Sequence, residues 1–234
     1  MSTERLDKLV SKAGLLSRND AKAYIRGGKV SVDGVLKTNP AEKFSENSII
    51  FLDGEKIVYE KNVYYMMNKP GGIVSASEDK KEKTVVDLIK ERGNRNLFPA
   101  GRLDRDTTGF LLITDDGEFA HKILSPSRHV EKEYIVETDL AIPSELIDFF
   151  KEGVDLGDFT ALPAVLKILS EKRAAVVLKE GKYHQIKRMF LKYGLKVVSL
   201  ERIRMGNLNL DENLKAGEYK KLTAEDIGKI AQRG

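Results

Sequence analysis

The sequence predicts a mixed α/β chain in two parts: a small module of two helices plus a hairpin, then a larger domain of short strands interleaved with helices. Three observations lead there. Apolar residues at helical spacing open the chain, an Asp33-Gly34 pair separates two short apolar runs, and from residue 63 onward runs rich in Val, Ile and Leu alternate with amphipathic stretches. At 234 residues there is enough chain for two modest cores.

Taken in order, Leu6, Leu9, Val10 and Ala13 form one helical stripe, and Gly14 supplies the stop. Ser17 is placed to cap a second helix, with Asp20 at its third position and Gly27-Gly28 at its end. On that helix Arg18, Lys22 and Arg26 fall four residues apart, a basic stripe opposite Ala21 and Ile25. Lys29 to Val32, Asp33-Gly34 and Val35-Leu36 read as a hairpin with a tight turn. The polar run Glu55 to Asn62 reads as the linker, which gives a first domain over 1–58 and a second over 63–234. Beyond it, 63–67, 110–113, 134–136, 165–169, 174–178 and 197–200 read as strands. Val85 to Arg92, Glu118 to Leu124, Pro143 to Lys151, His184 to Tyr193 and Ala224 to Gln232 read as helices. Pro143 suits a first helical turn and Thr223 an N-cap.

Composition excludes several functions. Without cysteine the chain has no disulfide, thiol catalysis or cysteine metal site, and it opens without an apolar signal core. No apolar run is long enough to span a bilayer, so a cytoplasmic protein with no membrane contact is expected. The net charge of +4 is local: the first thirty residues hold seven basic side chains against three acidic ones, and the remainder is neutral. Arg5, Lys8, Arg18, Lys22, Arg26 and Lys29 are thus candidates to track a phosphate backbone, although a charge run is commonly only a solvated helix face.

The densest chemistry lies in Gly101-Arg-Leu-Asp-Arg-Asp-Thr-Thr-Gly-Phe-Leu-Leu-Ile-Thr-Asp-Asp-Gly117, with four carboxylates and two arginines around a short apolar strand. It reads as loop, strand, loop, with Asp104 on the loop entering the strand. Three readings compete. One is a hydrogen-bonded turn. Another is a calcium loop, which fails because Asp115 stands where a bidentate Glu is expected and the flanks are strand-like. The third is a nucleophilic carboxylate activated by a nearby cation.

Gly101-Arg102-Leu103-Asp104, Thr107-Thr108-Gly109 and Thr114-Asp115-Asp116-Gly117 resemble the signature of the RNA pseudouridine synthases. Four more matches fall in that family's order: Asn68-Lys69-Pro70-Gly71, Ser125-Pro126, Glu131-Lys132-Glu133-Tyr134, and the run from Glu180 through Tyr183-His-Gln-Ile-Lys187 to Phe190. The N-terminal module, from Arg5-Leu-Asp-Lys8 to about Gly54, resembles the S4 RNA-binding domain. The resemblance, and not periodicity, implies a mostly antiparallel, curved sheet with the active site in a cleft across it.

It also implies a reaction. Pseudouridylation breaks the bond from uracil N1 to the ribose, turns the base and rejoins it through C5, so no nucleotide, metal or redox cofactor is expected. Asp104 matches the family's essential aspartate, Lys187 its basic partner, and Tyr134 a tyrosine set against the target base. Taken from the residues alone, Lys187 would pass for a surface helix lysine and Tyr134 for a core strand residue. Closing RNA over Asp104 favours its protonation, so a cation beside it is needed. Arg102, two residues earlier, would face the same way and contact phosphate or fill the space left by an extruded nucleotide; an ion pair with Asp106 or Asp116 is the structural alternative. His121, His129 and His184 are scattered and no zinc site is expected; His184 is expected to orient a loop beside the active site. Lys69-Pro70-Gly71-Gly72 is assigned a structural role.

The expected substrate is ribosomal RNA, 16S on the pattern Tyr183 to Arg188, either naked or within a partly assembled small subunit, acted on by a monomer. Alternatives are a 23S enzyme of the same family and a non-catalytic RNA-binding assembly factor.

Overall fold

Local sequence decides the first elements directly. A computed structural model describes residues 3–13, 16–57, 60–90, 95–125 and 130–232. In it, strand β1 (Thr3–Arg5) leads into helix α1 (Leu6–Lys12), followed by α2 (Arg18–Arg26), β2 (Val30–Val32), β3 (Val35–Lys37), β4 (Lys43–Ser45), β5 (Ile50–Leu52) and β6 (Glu55–Ile57). Ser17 caps α2 by accepting from the Asp20 amide, as its position predicts. Leu6, Leu9, Val10, Ala21, Ile25, Val30, Val32, Ile50 and Ile57 close into one core, and each fully buried Leu or Ile contributes about 1.5–3 kcal/mol. Gly14, the expected stop of the first helix, lies outside the described residues.

Two turns set this module's sheet, in the order β3-β2-β5-β6. Asp33 and Gly34 have φ of +50° and +83°, and Asp53 and Gly54 have +49° and +85°, so each pair supplies the two positive dihedrals of a tight hairpin turn. The second turn corrects the linker. Glu55–Ile57 is a strand paired with β5 and its Ile57 is buried, so the connection cannot begin at Glu55. A three-residue strand with one apolar side chain leaves no periodic signal to read.

One compact unit comprises Met1–Val63 with Ile89–Leu97, and the other Tyr64–Leu88 with Phe98–Gly234. The second is built from β7 (Tyr64–Lys69), β8 (Phe98–Pro99), β9 (Thr108–Thr114), α3 (Gly117–Leu124), β10 (Lys132–Thr138), α4 (Leu146–Glu152), β11 (Val165–Ser170), β12 (Arg173–Leu178), α5 (Gln185–Leu191), β13 (Val197–Met205), β14 (Leu208–Asn209), β15 (Tyr219–Lys221) and α6 (Ala224–Ala231). Its main sheet runs β11-β12-β10-β13-β9-β7-β15, with β13 and β9 parallel and the other neighbours antiparallel. The fold class is therefore mixed α/β with a mostly antiparallel sheet. Strand β9 is central, and Phe110 to Ile113 are buried on both faces. Met66, Phe110, Leu112, Ile123, Met205 and Ile230 belong to the core on one side.

Two helix expectations change. The described part of Val85 to Arg92 forms only a 3-10 turn over Val86–Leu88, because the Asp87 carboxylate accepts from both the amide and the hydroxyl of Thr84 and tightens the first turn; Arg92 lies outside the described residues. Helix α4 begins three residues after Pro143, since Leu146 and Ile147 donate to Pro143 and Ser144 in a tighter opening turn. Thr223 caps α6 in a reciprocal capping box with Asp226. Among the described residues no helix is long and apolar enough to cross a membrane.

Candidate active site

One row across the sheet organises the site. Val176 on β12 faces Tyr134 on β10, Tyr134 faces Arg202 on β13, Arg202 faces Gly109 on β9, and Gly109 faces Lys69 on β7. Gly109 has φ +93°, and a Cβ there would stand 2.3 Å from the Arg202 carbonyl oxygen, so only glycine lets β9 lie against β13. On the other side of β13 the register slips between Glu133 and Tyr134, a bulge that leaves Ile203 to accept from the Leu210 amide instead. That slip sets Tyr134 opposite Arg202.

The loop carrying Asp104 enters β9 and is pinned from beneath. Lys69 is fully buried, and its ammonium donates to the carbonyls of Pro70, Arg105 and Thr107 at 2.9–3.1 Å. Ser75 holds Leu103 at both backbone groups, accepting from its amide at 3.1 Å and donating to its carbonyl at 2.9 Å. The Gly72 amide donates to Arg105 at 2.7 Å, and Gly72 has φ +83°. The structural role expected of Lys69 to Gly72 thus has a definite form: an internal ammonium ties three loop carbonyls together.

Asp104, with its side chain 26 % exposed, meets Lys187 of α5, whose Nζ lies 3.0 Å from Asp104 Oδ2. The same ammonium is 2.6 Å from Asp106 Oδ1. Burial works against the charge on Lys187, but the hydrogen bonds to Asp106 and Asp104 outweigh it and hold the ammonium above its ordinary value. The Lys187 hydrogen bond in turn holds the Asp106 carboxyl below the usual range. His184 caps α5 in the left-handed conformation, φ +49°, which costs a non-glycine residue about 1–2 kcal/mol. Its Nε2 stands 3.6 Å from Asp104 Oδ1.

Arg102, Leu103, Asp104, Thr107, Tyr134 and Lys182 are among the residues that line one cleft with His184. Of the sequence candidates, the structure therefore brings together Asp104, Tyr134, Lys187 and Arg102. Arg102 is exposed and makes no ion pair among the described residues; Asp106 is engaged by Lys187, and Asp116 by the Tyr64 hydroxyl and the α3 N-terminus.

Sequence reasoning gave no role to two buried cations beside Tyr134, Arg202 and Lys132. Arg202 is 2 % exposed, donates through Nε to the Phe110 carbonyl at 2.7 Å, stands 6.0 Å over the Tyr134 ring, and has no partner for Nη2 among the described residues. Lys132 is buried with its ammonium on the Val130 carbonyl, and burial followed by the Arg202 charge pulls it down to about 8. Burial likewise pulls Lys69 down to about 8, against the opposing pull of Asp106 and Asp104. No carboxylate among the described residues of this unit is buried, so the interior behind Tyr134 is positive. Arg and Lys inside short apolar strands are indistinguishable from surface positions until the pairing is known. His129 lies outside the described residues, and among those described no group of three or more His, Cys, Asp or Glu can hold a metal.

The N-terminal cations are unequal. Arg5 and Arg18 both reach the buried Asp7, at 2.9 and 3.5 Å, and Lys8 pairs with Glu4 at 2.5 Å. Lys29 lies 3.6 Å from Asp53 and over the Tyr24 ring. Lys22 and Arg26 make no ion pair among the described residues, so they are the members of the stripe free to meet phosphate. Replacing both by Ala is expected to flatten the slope of log affinity against log salt by about 1.4, at roughly 0.7 per contact on single-stranded RNA. A titration of RNA binding from low to high salt measures it, and an unchanged slope would show a merely solvated face.

Residues 63–192 match the RNA pseudouridylate synthase family, and residues 4–50 match the S4 domain. The chain is 41 % identical to ribosomal small subunit pseudouridine synthase A of Vibrio cholerae, over 97 % of this chain and 99 % of that one. It is 42 % identical to an uncharacterised RNA pseudouridine synthase of Bacillus subtilis, over 95 % of this chain and 96 % of the other. A crystal structure of a pseudouridylate synthase superposes with a TM-score of 0.69 at 36 % identity, covering 97 % of this chain and 99 % of that chain.

Proposed function

Because the chain belongs to the RNA pseudouridylate synthase family, we propose that it isomerises one uridine of 16S ribosomal RNA in the cytoplasm, with Asp104 as the nucleophile. The observation that carries this reading is the Lys187 ammonium 3.0 Å from Asp104 in the cleft that Tyr134 lines. The 16S target is supported by the name of the small-subunit relative from Vibrio cholerae. On this reading residues 1–58 are the RNA-binding domain and 63–234 the catalytic domain.

The chemistry balances without any added group. The N1–C1′ bond breaks and its electron pair leaves on uracil. The base turns, C5 bonds to C1′, the C5 proton departs, and N1 gains a proton. Asp104 supplies the nucleophile, at ribose C1′ or at uracil C6, and Lys187 keeps it anionic as RNA excludes water. The bond that Asp104 forms breaks again as C5 takes C1′, or as C6 is released afterwards, and the carboxylate returns to its Lys187 partner. The detached uracil is negative, and the buried Arg202 guanidinium, 6.0 Å over the Tyr134 ring, favours that charge there. Arg102, on the same cleft, takes a phosphate or the space of the extruded nucleotide.

The Tyr134 hydroxyl takes the C5 proton, directly or through water. Accordingly Tyr134→Phe is expected to lower turnover about a hundredfold and accumulate the adduct that precedes proton loss, with a large isotope effect from deuterium at C5. A Phe variant at the wild-type rate beside an inactive Tyr134→Leu would leave the ring as a stacking platform only.

Chemical mapping of pseudouridine in both ribosomal RNAs, from cells with and without the protein, tests the whole reading. One 16S position should be lost. Loss in 23S instead would move the target, and no loss anywhere would remove the activity.

A further inference from the structure

Tyr183 is the most exposed large hydrophobic side chain among those described, at 73 %, although it sits between two residues that line the cleft. One face of its ring stacks on His184, with centroids 3.9 Å apart and planes 16° from parallel. The turn presenting it is closed from both sides: the Lys182 amide donates to the Gln185 side chain at 3.0 Å, and the Gln185 amide donates to the Lys182 carbonyl at 3.2 Å. Gln185 is itself anchored on Glu180 at 2.7 Å. His184 accepts a left-handed backbone at this point and stands 3.6 Å from Asp104, so the stack is fixed beside the reacting carboxylate. A surface tyrosine held this firmly, with its second face open to solvent and the exposed Arg102 and Lys182 on the same cleft, has the form of a platform for a flat ligand next to a phosphate chain.

We propose that the open face of Tyr183 is a base-stacking subsite for a nucleotide adjacent to the target uridine in single-stranded RNA. The inference rests on the isomerase reading above and adds a second base to it. Target extrusion unstacks the uridine from its neighbour, and the Tyr183–His184 pair replaces the lost stack with a rigid aromatic surface. The platform is sequence-tolerant because every base has a π-face. Tyr183 is a binding residue, and its contribution falls on KM.

The test uses the full-length protein and an RNA hairpin whose loop carries the mapped uridine, with the nucleotide on each side replaced in turn by an abasic residue. Tyr183→Leu is expected to raise KM about tenfold with kcat within about threefold of wild type, and Tyr183→Trp to recover most of that loss. On one flank the abasic substitution should raise the wild-type KM by a similar factor yet add little in the Leu variant, since both changes remove the same stack. A wild-type KM for Tyr183→Leu, or losses that simply multiply on both flanks, would overturn the subsite. If the purified protein forms no pseudouridine, the isomerase reading falls separately. The subsite is then read from a uridine-rich single strand carrying 2-aminopurine: quenching by wild type and not by the Leu variant upholds the stack, and equal quenching overturns it.

Discussion

Asp104→Asn is expected to lower single-turnover pseudouridine formation by on the order of 10⁴-fold while RNA affinity stays within a few-fold of wild type. The amide keeps the shape of the carboxylate but has no charge with which to attack. The loop should survive the change, because little of its conformation depends on that charge. Ser75 holds Leu103 at both backbone groups, Lys69 ties the carbonyls of Pro70, Arg105 and Thr107, and the Thr107 amide donates to the Asp104 carbonyl at 3.2 Å. Lys187, released by Asp104, keeps Asp106 at 2.6 Å. A thermal melt within a few degrees of wild type should accompany the lost activity. Residual turnover near wild type would remove Asp104 from the mechanism, and a collapsed melt would show that the loop depends on the ion pair.

What could be read ahead of the structure follows from the range of the interaction involved. Caps and turns are local: Ser17, Thr223 and Asp33-Gly34 act within three or four residues, and each stands where its spacing places it. Strand β9 was legible because Phe110 to Ile113 are buried on both faces and form an unbroken apolar run. The small strands β4, β6, β14 and β15 have two or three residues each, too few to show a period, and only pairing makes them visible. The same distinction holds in the site. Asp104, Tyr134 and Lys187 were named through motifs, whereas the row joining Tyr134, Arg202, Gly109 and Lys69 spans four strands and is fixed by register alone. Arg202 had no local signal, since its burial and its place over Tyr134 depend on two long-range pairings of β13, antiparallel to β10 and parallel to β9.

Lys187→Met is expected to cost about a hundredfold in kcat/KM at neutral pH, whereas Lys187→Arg should lose no more than about tenfold. Methionine fills much of the same space but leaves Asp104 and Asp106 facing each other without the cation they share at 3.0 and 2.6 Å. With their positive neighbour gone, ionisation of the pair becomes harder, and harder still once RNA closes over it. The acid limb of the pH–rate profile should therefore move to higher pH in the Met variant and stay near wild type in the Arg variant. At the alkaline end the sign reverses. The Lys187 ammonium is held above its ordinary 10.5 by the two carboxylates, so the wild-type pairing is fully present below that value and is lost only as pH rises through the higher folded one. An alkaline fall in the wild-type rate below pH 10 would therefore not come from loss of the Lys187 charge. Met and Arg variants with superimposable acid limbs would show that Lys187 does not keep the nucleophile charged, and the proposed mechanism would then have to find its cation elsewhere on the cleft.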